Sequence, residues 1–174
     1  MLVTISGPPG SGTSTVARLV AALLHLEHLD GGTVFRALAA ERGLDVGAFS
    51  EVAEADPRID VELDTRLAAV ARAGEVVLES RLAAWIARNE GVDATTVWVD
   101  GDEDVRAQRV AGRERIAVSQ ALEANRVREA SERQRYLTLY GIDLEDRSVY
   151  SLIIDSTDAS PDELAKSIVA QVTK

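Results

Sequence analysis

Cysteine is absent from the 174 residues, so neither a disulfide nor a thiolate metal site is available. Histidine is scarce: His25 and His28 leave too few ligands for a histidine-based zinc centre. Lysine is nearly missing as well. Lys166 and Lys174 are the only lysines among 19 basic residues, and arginine makes up the rest. No stretch approaches the ~18 consecutive apolar residues of a membrane-spanning helix. No charged leader or long apolar run precedes the opening segment Met1 to Ser6, which predicts a cytoplasmic protein with no membrane partner. The net charge of −10 argues against a nucleic-acid partner, which usually needs a basic surface, and leaves small anionic ligands open.

What is present suits one globular unit. The chain is 46% hydrophobic, enough to bury a core at this length, and no linker, repeat or low-complexity run divides it. The expectation is a single domain over residues 1–174, acting as a monomer. Short apolar runs alternate with helical periods. Strands are expected at residues 2–6, 27–29, 76–79, 95–99 and 152–154. Helices are expected at 14–24, 33–42, 45–55, 58–73, 82–88, 102–115 and 119–140. On the first helix Val16, Leu19, Val20, Leu23 and Leu24 share a side. A last helix starts at Ser160-Pro161-Asp162-Glu163, a capping box with proline at the first helical position. This alternation predicts an α/β fold of three layers, helices covering both faces of a five-stranded parallel sheet.

The sharpest motif lies between the first strand and the first helix. Gly7-Pro8-Pro9-Gly10-Ser11-Gly12-Thr13-Ser14 has the position and spacing of a phosphate-binding loop. Glycines let the chain curl so that successive N–H groups face phosphate oxygens, and the helix N-terminus adds positive dipole. Residues Gly7 to Thr15 are therefore assigned to ATP, and the Ser14 hydroxyl to its Mg²⁺. One position departs from the pattern. Thr13 stands where the motif has a lysine that neutralises the β- and γ-phosphates. Either arginines between 109 and 135 supply the charge, or transfer is slow, or the chain binds nucleotide without transferring phosphate.

Later segments carry a family resemblance. Asp30-Gly31-Gly32-Thr33-Val34-Phe35-Arg36 resembles the segment that opens the monophosphate-binding helix of cytidylate kinases, in their short archaeal-like form. Leu78-Glu79-Ser80-Arg81-Leu82-Ala83-Ala84-Trp85 is similar to that family's L-E-G-R-L-A-G-W, with Ser80 and Ala84 replacing glycines. Arg128-Glu129-Ala130-Ser131-Glu132-Arg133-Gln134-Arg135 resembles its R-[DE]-x-x-[DE]-x-x-R stretch, and Tyr140 to Asp143 and Tyr150 to Thr157 match its closing segments. The resemblance implies a P-loop kinase with a monophosphate-binding region near 31–74 and an arginine-rich lid near 109–135. It implies Mg²⁺-dependent transfer from ATP to CMP or dCMP, with a different small acceptor or binding without transfer as alternatives. It assigns Asp30, Gly32, Thr33, Arg36, Arg81 and Glu129 to CMP.

The residue types agree with that chemistry. A monophosphate attacks with an oxygen that is already anionic, so no general base is required. Holding two repelling phosphate groups in line requires cations, and arginine pairs two oxygens at once. Arg128, Arg113 and Arg135 are the candidate catalytic cations, ahead of Arg109 and Arg133. Glu79 either contacts Mg²⁺ or caps the next helix. Asp30 either orients the loop or caps. Glu129 also fits plain helical pairing with Arg133. His25 and His28 read as surface or packing histidines, Trp85 and Trp98 as core.

Overall fold

The computed structural model describes residues 1–173, apart from the side chains of Ser50 and Glu54. Five strands form one parallel sheet in the order β2-β3-β1-β4-β5. They are β1 (Leu2–Ser6), β2 (Glu27–Asp30), β3 (Val76–Glu79), β4 (Thr95–Asp100) and β5 (Leu152–Asp155). The helices are α1 (Thr13–Leu24), α2 (Gly31–Glu41), α3 (Val46–Ala55), α4 (Arg58–Ala73), α5 (Ala83–Asn89), α6 (Glu103–Glu114), α7 (Val118–Tyr140) and α8 (Pro161–Val172).

The pleat divides the core in two. Val3, Ile5, Val77, Val97 and Val99 pack with α1 and α8, where Val16, Ala17, Val20, Leu164 and Ile168 meet them. Leu2, Val76 and Leu78 face the other way, against Leu67, Ala71, Ala83 and Ile86 of α4 and α5. Strands buried on both faces read as continuous apolar runs, as the central ones do here. On α1 the buried set is Val16, Ala17, Val20 and Ala21, whereas Leu23 is exposed. The buried stripe is thus rotated from the leucines toward the alanines, whose small side chains let α1 sit close between sheet and α8.

Helix starts follow capping chemistry. Asp30 accepts from the Thr33 amide at 2.8 Å, so α2 begins at Gly31, two residues before the period alone suggests. Ser160 and Glu163 form the expected box at α8. Trp98 is buried beside Tyr150, ring centroids 5.2 Å apart, with the Arg147 guanidinium over its ring. Residues 31–73 thus supply three helices on one flank of the sheet, and α7 reaches the carboxyl end of β3, where Glu132 meets Arg81.

Two contacts tie α4 to α7. The Tyr140 hydroxyl donates to Asp64 at 2.6 Å, and Arg135 lies 3.7 Å from Asp60. Burial pushes the Asp64 carboxyl up to about 6, and the nearby Asp60 adds to the rise while the Tyr140 bond opposes it. A raised carboxylate favours folding below its unfolded range, near 4, and loses that contribution as the pH rises through about 6. Asp64→Asn keeps an acceptor for Tyr140 and removes the buried charge. Urea unfolding should show it more stable than wild type by about 1–2 kcal/mol near pH 8 and equal to it near pH 4.

Candidate active site

The turn after β1 is shaped by what lies behind it. A side chain on Gly7 would run into the carbonyl oxygen of Val99, and one on Gly10 would meet that of Arg106 at 2.5 Å. Gly10 also has φ +82°, where glycine is the residue without strain. The loop is therefore pressed between the end of β4 and the start of α6. Gly12 precedes α1, so the loop delivers the chain into a helix whose Thr13 and Ser14 amides have no carbonyl partner and are open to an anion.

Arg106 braces this loop from beneath. It is 6% exposed. Its guanidinium donates to the Pro9 carbonyl at 3.1 Å, to the Gly101 carbonyl at 3.0 Å and to Glu129 of α7 at 2.6 Å. The motif reading overlooked this residue, because nothing in the sequence distinguishes it from the other arginines of the stretch.

A cleft of 860 Å³ opens in front of the loop. Gly7, Pro8, Pro9, Gly10, Thr13 and Ser14 form its floor, and Asp30, Gly32, Arg36, Glu79 and Arg81 one wall. Arg113, Arg128, Glu132 and Arg135 come from α6 and α7. Thus the candidate residues from the loop, the two strand ends and the distant helices converge on one space. Ser11, Gly12, Thr15 and Thr33 belong to the same loop and helix starts but do not line it. Glu129 does not line it either, because its carboxylate turns to Arg106. Arg109 binds the Ser156 hydroxyl and carbonyl, and Arg133 pairs with Asp143 and Glu145.

Carboxylates hold the arginines in place. Glu132, 8% exposed, accepts from Arg81 at 2.6 Å and from Arg128 at 2.8 Å. Burial works to raise its carboxyl, but the two guanidinium groups outweigh it and hold it below the usual range. Arg36 donates to the Thr33 hydroxyl at 2.8 Å and lies 3.7 Å from Asp30. Arg113 pairs with its neighbour Glu114 at 2.8 Å. Glu132 is the second residue that motif reading missed. Its partner Arg128 lies four positions away on the same helix, and only the fold reveals Arg81.

On the strand side, Ser14 donates to Glu79 at 2.5 Å, and His28 lies 2.9 Å from the other oxygen of the same carboxylate. The hydroxyl and carboxylate are hard oxygen donors of the type Mg²⁺ takes. Among the described residues no group of three or more Asp, Glu, His or Cys forms a closed cage.

The chain has relatives throughout its length. The model of the cytidylate kinase-like family matches residues 2–158. The chain is similar to a cytidylate kinase of Methanocaldococcus jannaschii, 44% identical over 158 residues, covering 90% of this chain and 89% of the relative. It is also similar to a cytidylate kinase of Halobacterium salinarum, 46% identical over 173 residues, covering 99% and 89%. Among solved structures, an uncharacterized protein from Eubacterium ventriosum superposes with a TM-score of 0.77 at 18% identity, covering 100% of this chain and 99% of that one. Shikimate kinase from Acinetobacter baumannii superposes with a TM-score of 0.61, also at 18% identity, covering 99% and 92%. Likeness at that identity speaks to the fold alone, which is the three-layer αβα P-loop fold.

The Glu132 bridge yields a prediction. A carboxyl held below its unfolded range stabilises the fold above that range, and the contribution is lost as the pH falls through it. Glu132→Gln leaves two guanidinium groups short of their counter-charge. By urea unfolding it should cost about 3 kcal/mol near pH 7, and the difference should shrink toward pH 3.

Proposed function

The chain belongs to the cytidylate kinase-like family, and from that premise we propose that it transfers the γ-phosphoryl group of ATP to CMP or dCMP, giving CDP or dCDP. The observation that carries this reading is the single cleft in which a phosphate loop faces Arg36, Arg81, Arg113, Arg128 and Arg135. The reading includes a monomeric, cytoplasmic enzyme of pyrimidine nucleotide metabolism with no nucleic-acid partner.

In this reading the phosphate loop from Gly7 to Thr15 holds the donor phosphates, chiefly through the amides of Gly10, Gly12, Thr13 and Ser14, since Pro8 and Pro9 carry no N–H and the Ser11 and Thr15 amides donate to the Pro8 and Gly12 carbonyls. Ser14 and Glu79 hold the Mg²⁺ that accompanies ATP, directly or through water. That ion, when bound, neutralises charge on the β- and γ-phosphates. Arg36 and Arg81 grip the acceptor phosphate, with Asp30, Gly32 and Thr33 shaping the start of α2 around it. An anionic oxygen of the acceptor then attacks the γ-phosphorus in line, and ADP leaves. No proton has to be removed first, so the arginines of the cleft need only hold and balance charge.

Arg128, Arg113 and Arg135 serve the transferring group. They come from the α6–α7 region, residues 109–135, which acts as a lid over the acceptor region of residues 31–74. Closure excludes water that would otherwise hydrolyse ATP. Glu132 lines the cleft and offers an acceptor for the exocyclic amino group of cytosine. Glu129 contributes through Arg106, which steadies the loop.

Thr13 is the feature that a binding protein without transfer would explain. Arginines on the opposite wall of the same cleft provide the alternative source of charge, and this favours transfer. The test is ADP release with ATP, Mg²⁺ and separately CMP, dCMP, UMP, AMP and GMP. Turnover is expected with CMP and dCMP above the rest. Absence of any diphosphate product, with nucleotide binding intact, would leave the binding-protein reading instead. Removing a cation that contacts the transferring group commonly costs about 10²-fold, so Arg128→Ala should lower kcat by about that factor. Thr13→Lys should change kcat by less than about tenfold, because the arginines already carry the charge. Arg36→Ala should raise KM for CMP while leaving KM for ATP within about twofold of wild type.

A further inference from the structure

His28 was expected to be a surface or packing residue, yet its ring is aimed at the carboxylate that Ser14 also meets. The pleat explains the meeting. In the parallel pairing of β2 with β3, His28 lies opposite Val77 and Asp30 opposite Glu79. Residues two apart on a strand share a face, so His28, Val77 and Glu79 all point toward α1, where Ser14 lies in the first turn. The result is a three-member chain: His28 Nε2 to Glu79 Oε2 at 2.9 Å, and Ser14 Oγ to Glu79 Oε1 at 2.5 Å.

The hydrogens in this chain can be assigned from chemistry. An ionised carboxylate only accepts, so Nε2 carries the hydrogen in its bond to Glu79, and the Ser14 hydroxyl donates its own. Each Glu79 oxygen is thereby claimed by a different partner, which stops the carboxylate from rotating. The side chains of His28 and Glu79 are 15% and 12% exposed, so water competes little for the inner bond. With its hydrogen committed to Glu79, Ser14 directs its lone pairs elsewhere, and these are what a cation needs.

We propose that His28 is a positioning residue for the metal–nucleotide site: it pins Glu79, and Glu79 in turn orients the Ser14 hydroxyl. This rests on the kinase reading above and names a residue that the reading does not require. His28 touches neither nucleotide nor metal. Its effect is to keep the two oxygen donors in one arrangement before the metal nucleotide arrives. Outer partners of this kind commonly change metal affinity 10–100-fold when removed.

The experiment is a titration of Mn²⁺·ADP onto the full chain, followed by electron paramagnetic resonance of the free ion, with CMP affinity and thermal midpoint measured alongside. His28→Asn is polar but too short to reach Glu79, and His28→Gln can reach it. His28→Asn should weaken Mn²⁺·ADP at least about tenfold, with CMP affinity unchanged, and His28→Gln should stay within about threefold of wild type. In a Glu79→Ala background His28→Asn should add no further loss, because the link it breaks is already gone. Wild-type affinity in His28→Asn would overturn the proposal, as would an equal loss in both backgrounds. An equal loss in the Gln and Asn variants would also overturn it. Failure of the wild-type chain itself to bind Mn²⁺·ADP would instead bring down the kinase reading, and this inference with it.

Discussion

Like charges repel, and a cleft built for two phosphate groups must keep several guanidinium groups close together. The structure solves this with carboxylates placed among the arginines. Glu132 is the central one, buried between Arg81 from the end of β3 and Arg128 on its own helix. Around it Asp30 lies beside Arg36, Asp60 beside Arg135 and Glu129 beside Arg106. Because these pairs join different elements, the electrostatic arrangement also fixes where α7 lies relative to the sheet. Arg36, Arg81, Arg128 and Arg135 are thereby held where they line the cleft.

The phosphate loop depends on packing rather than on charge. Its glycines are required because Val99 and Arg106 press against it. Arg106 adds hydrogen bonds to the loop and to α7 at once, so loop geometry and helix position are mechanically connected. On the far side, Glu79 connects Ser14 to β2 through His28. The loop is thus supported from two directions while its open face remains free for an anion. This makes the replacement of lysine by Thr13 less isolated than it looks in the motif: the surroundings hold cations that the loop itself lacks.

Much of this was legible in the residue order. Four apolar runs and the short segment at 27–29 became the five strands, and the glycine-rich segment after the first of them became a tight loop entering a helix. These features are local, since period, caps and turn residues act over a few positions. The Arg36, Arg81 and Arg128 assignments came from resemblance, and the fold gathers all three around one space. Asp30, for which two local roles were open, caps α2. Leu23, counted with the apolar side of α1, is exposed, because the period gives a stripe but not which edge of it meets the sheet.

Composition, spacing and local propensity determined by themselves the three-layer class, the phosphate loop and the stock of arginines. Tertiary structure decided how those arginines are used. Arg106 and Arg113 belong to one helix, yet the first is buried under the loop and the second lines the cleft. Glu129 and Glu132 are three residues apart, yet one braces Arg106 and the other bridges Arg81 and Arg128. His28 gains its partner 51 positions away only because two strands pair in one register. The reason is physical: a side chain's chemistry is set by its own atoms, but its role is set by the charges and acceptors that distant parts of the chain bring within ~3 Å of it.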